Sequence, residues 1–177
     1  MIDDVWTPAA VLVPVYRDGE GELRLVLLVR AAGGAHGGQV GLPGGKWERD
    51  DESLLETALR ETEEETGLAP SDIEVLAELA PLDTRTTGFR VHPYLARIRP
   101  PDEWRLAQGE IAGVLTPLVR RLADPMARYE RLLTSPSWPE PRLADSIELE
   151  GDHVLWGLTM RLLDAIVPRL LGGEWPV

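Results

Sequence analysis

GKWERDDESLLETALRETEEETGL, residues 45–68, places a glycine-led turn, one central arginine and a row of carboxylates on a short loop and the helix after it. Leu54, Leu55, Ala58 and Leu59 recur at helical spacing and predict a helix with one apolar face. Ser53 stands at the N-cap, with Glu56 three residues on to complete a capping box. Gly67 is placed to end the helix in a left-handed conformation, and Pro70 follows. Glu61, Glu64 and Glu65 are related by three and four residues and so project from neighbouring positions on one face. Glu56, Glu61, Glu63, Glu64 and Glu65 together would repel one another and weaken the helix. A divalent cation relieves that repulsion, and a site of carboxylate oxygens suits Mg²⁺ or Mn²⁺.

Just upstream, Leu42-Pro43-Gly44-Gly45 is a turn signal after the apolar residues 40–42. Two glycines let the backbone approach a ligand closely or offer a carbonyl to a metal. A bare charge run is usually a solvated helix face. The Gly-Gly turn combined with the spacing Arg60-Glu61-x₂-Glu64-Glu65-x-Gly67 argues instead for a metal-dependent phosphate-chemistry site.

The composition bounds the rest. A chain of 177 residues, 44% hydrophobic, is long enough for one domain that buries about 70% of its unfolded surface. It contains no cysteine, which excludes disulfides, thiolate metal sites and a Cys nucleophile. A formal net charge of −12 argues against binding nucleic acid through a broad basic surface. No stretch approaches the roughly 20 apolar residues that span a bilayer, and the acidic start MIDDVWTP lacks a signal-peptide pattern. The expectation is a cytoplasmic protein that binds no membrane.

Residues 10–16 and 23–30 read as strands around the hairpin signal Asp18-Gly19-Glu20-Gly21. Residues 73–79 and 90–98 read as further strands with a turn over 84–88, and residues 110–115 as another. A short helix is expected over 116–122, capped by Thr116 with Pro117 at its first position. Residues 125–141 hold four prolines and read as irregular surface or a flexible lid. Residues 147–150 read as a last strand, and 154–171 as an amphipathic helix interrupted near Pro168. Leu158, Leu162, Leu163, Ile166 and Leu170 on that helix are expected to pack in the core, with a homodimer interface as the lesser reading. Strands mixed with two principal helices suit an α/β/α sandwich around a mixed β-sheet, in one domain over residues 1–177.

The segment over residues 45–68 resembles the Nudix box, Gx₅Ex₇REUxEExGU with U a bulky apolar residue. Arg60, Glu61, Glu64, Glu65, Gly67 and Leu68 match it position by position, and Thr62 stands where an aliphatic residue is usual. The acid before the arginine is displaced. Glu52 has the right distance to Arg60, whereas Asp51 has the right distance to Gly45. That slip, with His36-Gly37-Gly38-Gln39-Val40-Gly41-Leu42-Pro43-Gly44-Gly45 upstream and Asp152-His153-Val154-Leu155-Trp156-Gly157-Leu158-Thr159 downstream, is similar to the coenzyme A pyrophosphatase branch of the family. Residues 31–35 form a loop one residue shorter than usual in that branch, without its second arginine, and Leu42 replaces the usual Phe.

The resemblance implies the Nudix α/β/α fold and hydrolysis of a nucleoside diphosphate linked to another moiety. Coenzyme A is the leading substrate, giving 3′,5′-ADP and 4′-phosphopantetheine. ADP-ribose, NADH, dinucleoside polyphosphates and nucleoside triphosphates are the alternatives, and a non-catalytic nucleotide-sensing module is a different class. By position in the box, Glu61 and Glu65 look like the principal ligands of Mg²⁺ or Mn²⁺, with Glu64 and the Gly45 carbonyl as further ligands. Arg60 orients a carboxylate. The general base is a box glutamate or a later acid, for which Glu110 is the candidate. Arg30 and Lys46, which flank the glycine-rich segment, are the phosphate-binding candidates, and His36 and Gln39 carry the branch resemblance toward substrate.

Overall fold

The computed structural model describes residues 6–33, 37–84, 88–134 and 139–177. In chain order the elements are β1 (Thr7–Arg17), β2 (Leu23–Leu25), β3 (Leu27–Arg30), β4 (Val40–Gly41), β5 (Gly44–Lys46), α1 (Leu54–Thr66), β6 (Ile73–Glu78), β7 (Leu82–Asp83), β8 (Phe89–Ile98), β9 (Ile111–Leu115), α2 (Val119–Leu122), β10 (Arg128–Leu133), β11 (Arg142–Glu148), β12 (Val154–Trp156) and α3 (Gly157–Leu171). They fall into two compact units: Met1–Tyr16 with Leu42–Ala107, and Arg17–Gly41 with Gln108–Val177.

The first unit is a mixed sheet with α1 on one face. Strand β1 runs parallel to β8, from Thr7 opposite Phe89 to Val15 opposite Arg97, and antiparallel to the short β5, where Ala10 faces Gly45. Strands β6 and β7 both pair antiparallel with β8. Ala10, Leu12, Tyr94 and Ala96 from the sheet close over Ala58 of α1, with Leu54, Leu55, Leu59 and Ile73 packed around them. Small residues at positions 10, 58 and 96 let the helix backbone come close to the strands. The Ala10–Gly45 register therefore brings the glycine turn directly under the helix.

Both ends of α1 follow from its sequence. Ser53 has extended backbone angles, and its hydroxyl accepts from the Glu56 N–H at 3.1 Å. The reciprocal half of the box is shifted by one residue, because Glu56 accepts from the Glu52 N–H rather than from Ser53. Gly67 ends the helix at φ 72°, its N–H donating to the Glu63 carbonyl. The segment returning beyond the helix takes up two more end carbonyls: Arg105 N–H donates to Thr66 and Ala107 N–H to Glu65. Thr62, which stands in an aliphatic position, is buried, and its hydroxyl donates back to the Ala58 carbonyl at 2.6 Å. The polar atom is thus satisfied within the helix while the methyl packs.

The second unit contains two antiparallel sheets, β4-β3-β9 and β10-β11-β12. Helix α3 packs on β11, β12 and α2, burying Met160, Leu162, Leu163, Ile166, Val167 and Leu170. Leu158 is only half-buried.

Several expectations need correction here. Residues 125–141 are not irregular throughout: β10 lies within them and pairs with β11 from Arg128 opposite Ile147 to Leu133 opposite Arg142. The last strand accordingly begins at Arg142, and a further short strand, β12, precedes α3. Helix α2 starts at Val119 with Leu118 at its cap, so Thr116 does not cap it. The Arg24 guanidinium instead donates to the Thr116 carbonyl at 2.9 Å. Pro168 does not interrupt α3, which continues to Leu171. So near the helix end the proline removes one backbone donor without stopping the chain's winding. Of the turn expected over 84–88, residues 85–87 lie outside the described residues.

Candidate active site

Arg60 organises the box. Its Nε donates to Asp51 Oδ1 at 2.8 Å and its Nη2 to Asp51 Oδ2 at 3.1 Å, a two-point pair. Nη2 also reaches Glu61 Oε1 at 3.2 Å and the Lys46 carbonyl at 3.4 Å, and Nη1 lies 3.3 Å from both oxygens of Glu64. The structure thereby decides between the two displaced acids. Asp51 is buried and meets Arg60, while Glu52 is exposed and contributes its backbone N–H to Glu56. Asp51 is held further by the Glu48 N–H at 3.0 Å and the Thr57 hydroxyl at 2.8 Å. Arg60, with these donors, pulls the Asp51 carboxyl far below the usual carboxylate range, against the cost of burial. Asp51 correspondingly raises the Arg60 pKa.

Glu61 lies against the glycine turn. A β-carbon built on Gly45 would stand 2.3 Å from Glu61 Oε1 and 2.4 Å from Cδ, so the carboxylate occupies the space that only glycine leaves. Burial raises the Glu61 pKa; Arg60 opposes the rise, and Glu64 and Glu48 add to it. Glu65 is buried, with Oε2 accepting the Gly44 N–H at 3.0 Å. Glu64 remains mostly exposed beside Arg60. Of the expected carboxylates, Glu61 and Glu65 thus lie against Gly45 and Gly44, while Glu61 and Glu64 share Arg60. Among the described residues no three carboxylate or histidine side chains converge as a ready-made metal cluster.

These residues fit a divalent cation. The donors are hard oxygens, the Glu61 carboxylate lies against Gly45, and Glu61 is a partly buried anion among like charges. Gly45 O, Glu61, Glu64 and Glu65 are the atoms and side chains able to hold it.

Lys46 behaves differently from its neighbour. Its backbone carbonyl joins the Arg60 network, but successive strand residues point to opposite faces, and its ammonium lies 5.3 Å from the Phe89 ring centroid.

Arg30, Gln39 and Glu110 form a separate backbone cluster in the second unit. Arg30 N–H donates to the Gln39 carbonyl at 3.0 Å, Gly38 N–H to the Arg30 carbonyl at 3.0 Å, and Ala31 N–H to the Glu110 carbonyl at 2.8 Å. Glu110 lies exposed in the turn before β9. His36 lies outside the described residues. Sequence reasoning overlooked Thr57 and the Glu48 N–H as partners of Asp51. The only sequence signal toward them was the five-residue distance of Asp51 from Gly45.

The NUDIX domain family profile matches residues 6–128. The uncharacterized Nudix hydrolase NudL of Salmonella paratyphi B is 34% identical over 161 residues, covering 88% of this chain and 78% of its own length. Salmonella newport NudL matches to the same extent. Among solved structures, the Nudix hydrolase RenU of M. smegmatis aligns at TM-score 0.56 and 23% identity, over 67% of this chain and 74% of its own. A C. elegans Ap4A hydrolase binary complex aligns at TM-score 0.54 and 22% identity, over 63% and 80%. These likenesses place the fold as the mixed α/β Nudix type. With the profile spanning both the glycine turn and the carboxylate helix, this chain belongs to the Nudix hydrolase family, enzymes that hydrolyse pyrophosphate-containing substrates.

Proposed function

We propose that this chain hydrolyses coenzyme A or its derivatives to 3′,5′-ADP and 4′-phosphopantetheine, with all 177 residues acting as one Nudix domain. The observation that carries the reading is the Asp51–Arg60 pair. The displaced acid resembles that of the coenzyme A branch, and it is Asp51, with five residues between it and Gly45, that meets the arginine. The upstream signature supports the same reading through the backbone bonds that join Arg30 to Gln39 and Gly38.

The reaction is attack of water on one phosphorus of the diphosphate, and it needs charge neutralisation and alignment more than covalent help. Mg²⁺ or Mn²⁺, when bound, polarises phosphoryl oxygens and lowers the pKa of water. Glu61, Glu65, Glu64 and the Gly45 carbonyl would hold it, and Arg60 keeps Glu61 and Glu64 oriented. A box glutamate, Glu61 or Glu64, is the candidate proton acceptor, and burial raises the Glu61 pKa. The resemblance offers Glu110 as the alternative acceptor and Arg30 and Lys46 as phosphate-binding cations; for Lys46 that role requires its ammonium to leave the Phe89 ring.

Purified protein is incubated with coenzyme A, ADP-ribose, NADH, diadenosine polyphosphates and nucleoside triphosphates, with Mg²⁺ or Mn²⁺, and products are identified by mass. Highest efficiency on coenzyme A, with 3′,5′-ADP released, is the expected result. Preference for another diphosphate would remove the coenzyme A assignment and leave the hydrolase. Turnover of none, with metal still bound, would favour a sensing module.

A further inference from the structure

We propose that Thr57 is a positioning residue for the box: its hydroxyl locks the Asp51 carboxylate, from which Arg60 sets Glu61 and Glu64. The proposal rests on the metal-dependent reading above, but on no particular substrate.

Asp51 is one methylene shorter than a glutamate and, counted from Arg60, enters the network from one residue earlier than the box's usual acid. To present both oxygens to Arg60 it must be held in one orientation. Its Oδ1 accepts from Arg60 Nε, and Oδ2 accepts from Arg60 Nη2, the Glu48 N–H and the Thr57 hydroxyl. The Thr57 contact, at 2.8 Å, is the shortest of those at Oδ2, and Thr57 is fully buried. The hydroxyl has one hydrogen to give. Its other acceptor, the Ser53 carbonyl, is neutral and at 3.3 Å, so the charged oxygen takes the proton.

Arg60 makes its two-point pair with the buried Asp51 and longer contacts with the more exposed Glu61 and Glu64. Arg60 sits 2.8 and 3.1 Å from Asp51, but 3.2 Å from Glu61 and 3.3 Å from Glu64. The guanidinium is anchored on Asp51 and steers the two glutamates. Without the Thr57 hydroxyl, a buried carboxylate keeps its charge but loses its side-chain lock, and the fork of Arg60 turns with it. Thr57 itself lies one helical turn before Glu61 and touches neither metal-binding oxygen nor substrate in this scheme.

The test uses Thr57→Val, which keeps shape and removes the hydroxyl, and Thr57→Ser, which keeps the hydroxyl. Mn²⁺ binding to the substrate-free protein is titrated by electron paramagnetic resonance. Thermal melting is followed alongside, and kcat and KM are measured on the best-cleaved diphosphate. We expect Thr57→Val to weaken Mn²⁺ binding about tenfold and to lower kcat with KM unchanged, and Thr57→Ser to restore both. In an Asp51→Asn background Thr57→Val should add nothing further. Wild-type Mn²⁺ affinity in Thr57→Val, even with a lower melting temperature, would overturn the proposal, as would additive effects of the two substitutions. Should Thr57→Val fail to fold, Thr57→Ala against Thr57→Ser makes the same comparison. A wild-type protein that binds no Mn²⁺ would instead sink the metal-dependent reading and this proposal with it.

Discussion

The Glu61 carboxylate rests on the α-carbon of Gly45, within 2.3 Å of where a β-carbon would sit. The atoms in the way are the far end of a flexible side chain, so an alanine is accommodated by moving the carboxylate rather than the backbone. Gly45→Ala should therefore fold with a melting temperature within a few degrees of the parent, yet lose metal-dependent hydrolysis by about 100-fold. Retained activity would show that Glu61 works from a different orientation.

The Glu61 carboxylate couples stability to pH. Its pKa is raised in the folded state, chiefly by burial, so its contribution to stability is full below the carboxylate range and is lost as pH rises through the folded pKa. Glu61→Gln should melt higher than the parent at pH 7 without metal, and the difference should vanish near pH 3. Adding Mg²⁺ should stabilise the parent and leave Glu61→Gln unmoved, because only the parent gains a ligand. Hydrolysis should be lost in Glu61→Gln and in Glu65→Gln. Full activity in both would remove these residues from the site.

Asp51 has the opposite sign. Its folded pKa is depressed, so the stability it contributes is present above its unfolded value, about 3.9, and is lost as pH falls below it. Asp51→Asn should cost roughly 3 kcal/mol at pH 7, since it leaves Arg60 with only its weaker partners. Urea unfolding at pH 7 and pH 3 would check this, with a smaller gap expected at the lower pH.

Gly67 is required twice over. Its φ of 72° penalises a side chain, and a β-carbon there would stand 2.7 Å from Arg105 Cβ. Gly67→Ala should cost about 1–2 kcal/mol for the backbone alone, and more from the contact. Chemical denaturation measures it, and a neutral result would mean the helix ends elsewhere.

The sequence by itself determined helix α1 and its carboxylate face. Ser53, Gly67 and the three- and four-residue spacings are local signals, and the helix obeyed them because backbone hydrogen bonds there span only four residues. The strands over 73–79 and 90–98 were legible for a similar reason, their apolar runs being short and bounded by turn residues. The hairpin of β10 and β11 was not. Leu132 and Leu143 face each other from strands that are largely exposed, so no burial pattern announced the pairing and the prolines argued for a loop. Most consequential was the acid that meets Arg60. Loop spacing admitted Asp51 and Glu52 alike, and the choice was made by donors on either side of the loop: the Glu48 N–H three residues before and the buried Thr57 hydroxyl six residues after, which satisfy a carboxylate at position 51. Only the folded structure, in which the loop turns back on the helix, brings those donors and the Arg60 guanidinium to one point, and burying an anion is tolerable only where such donors already stand.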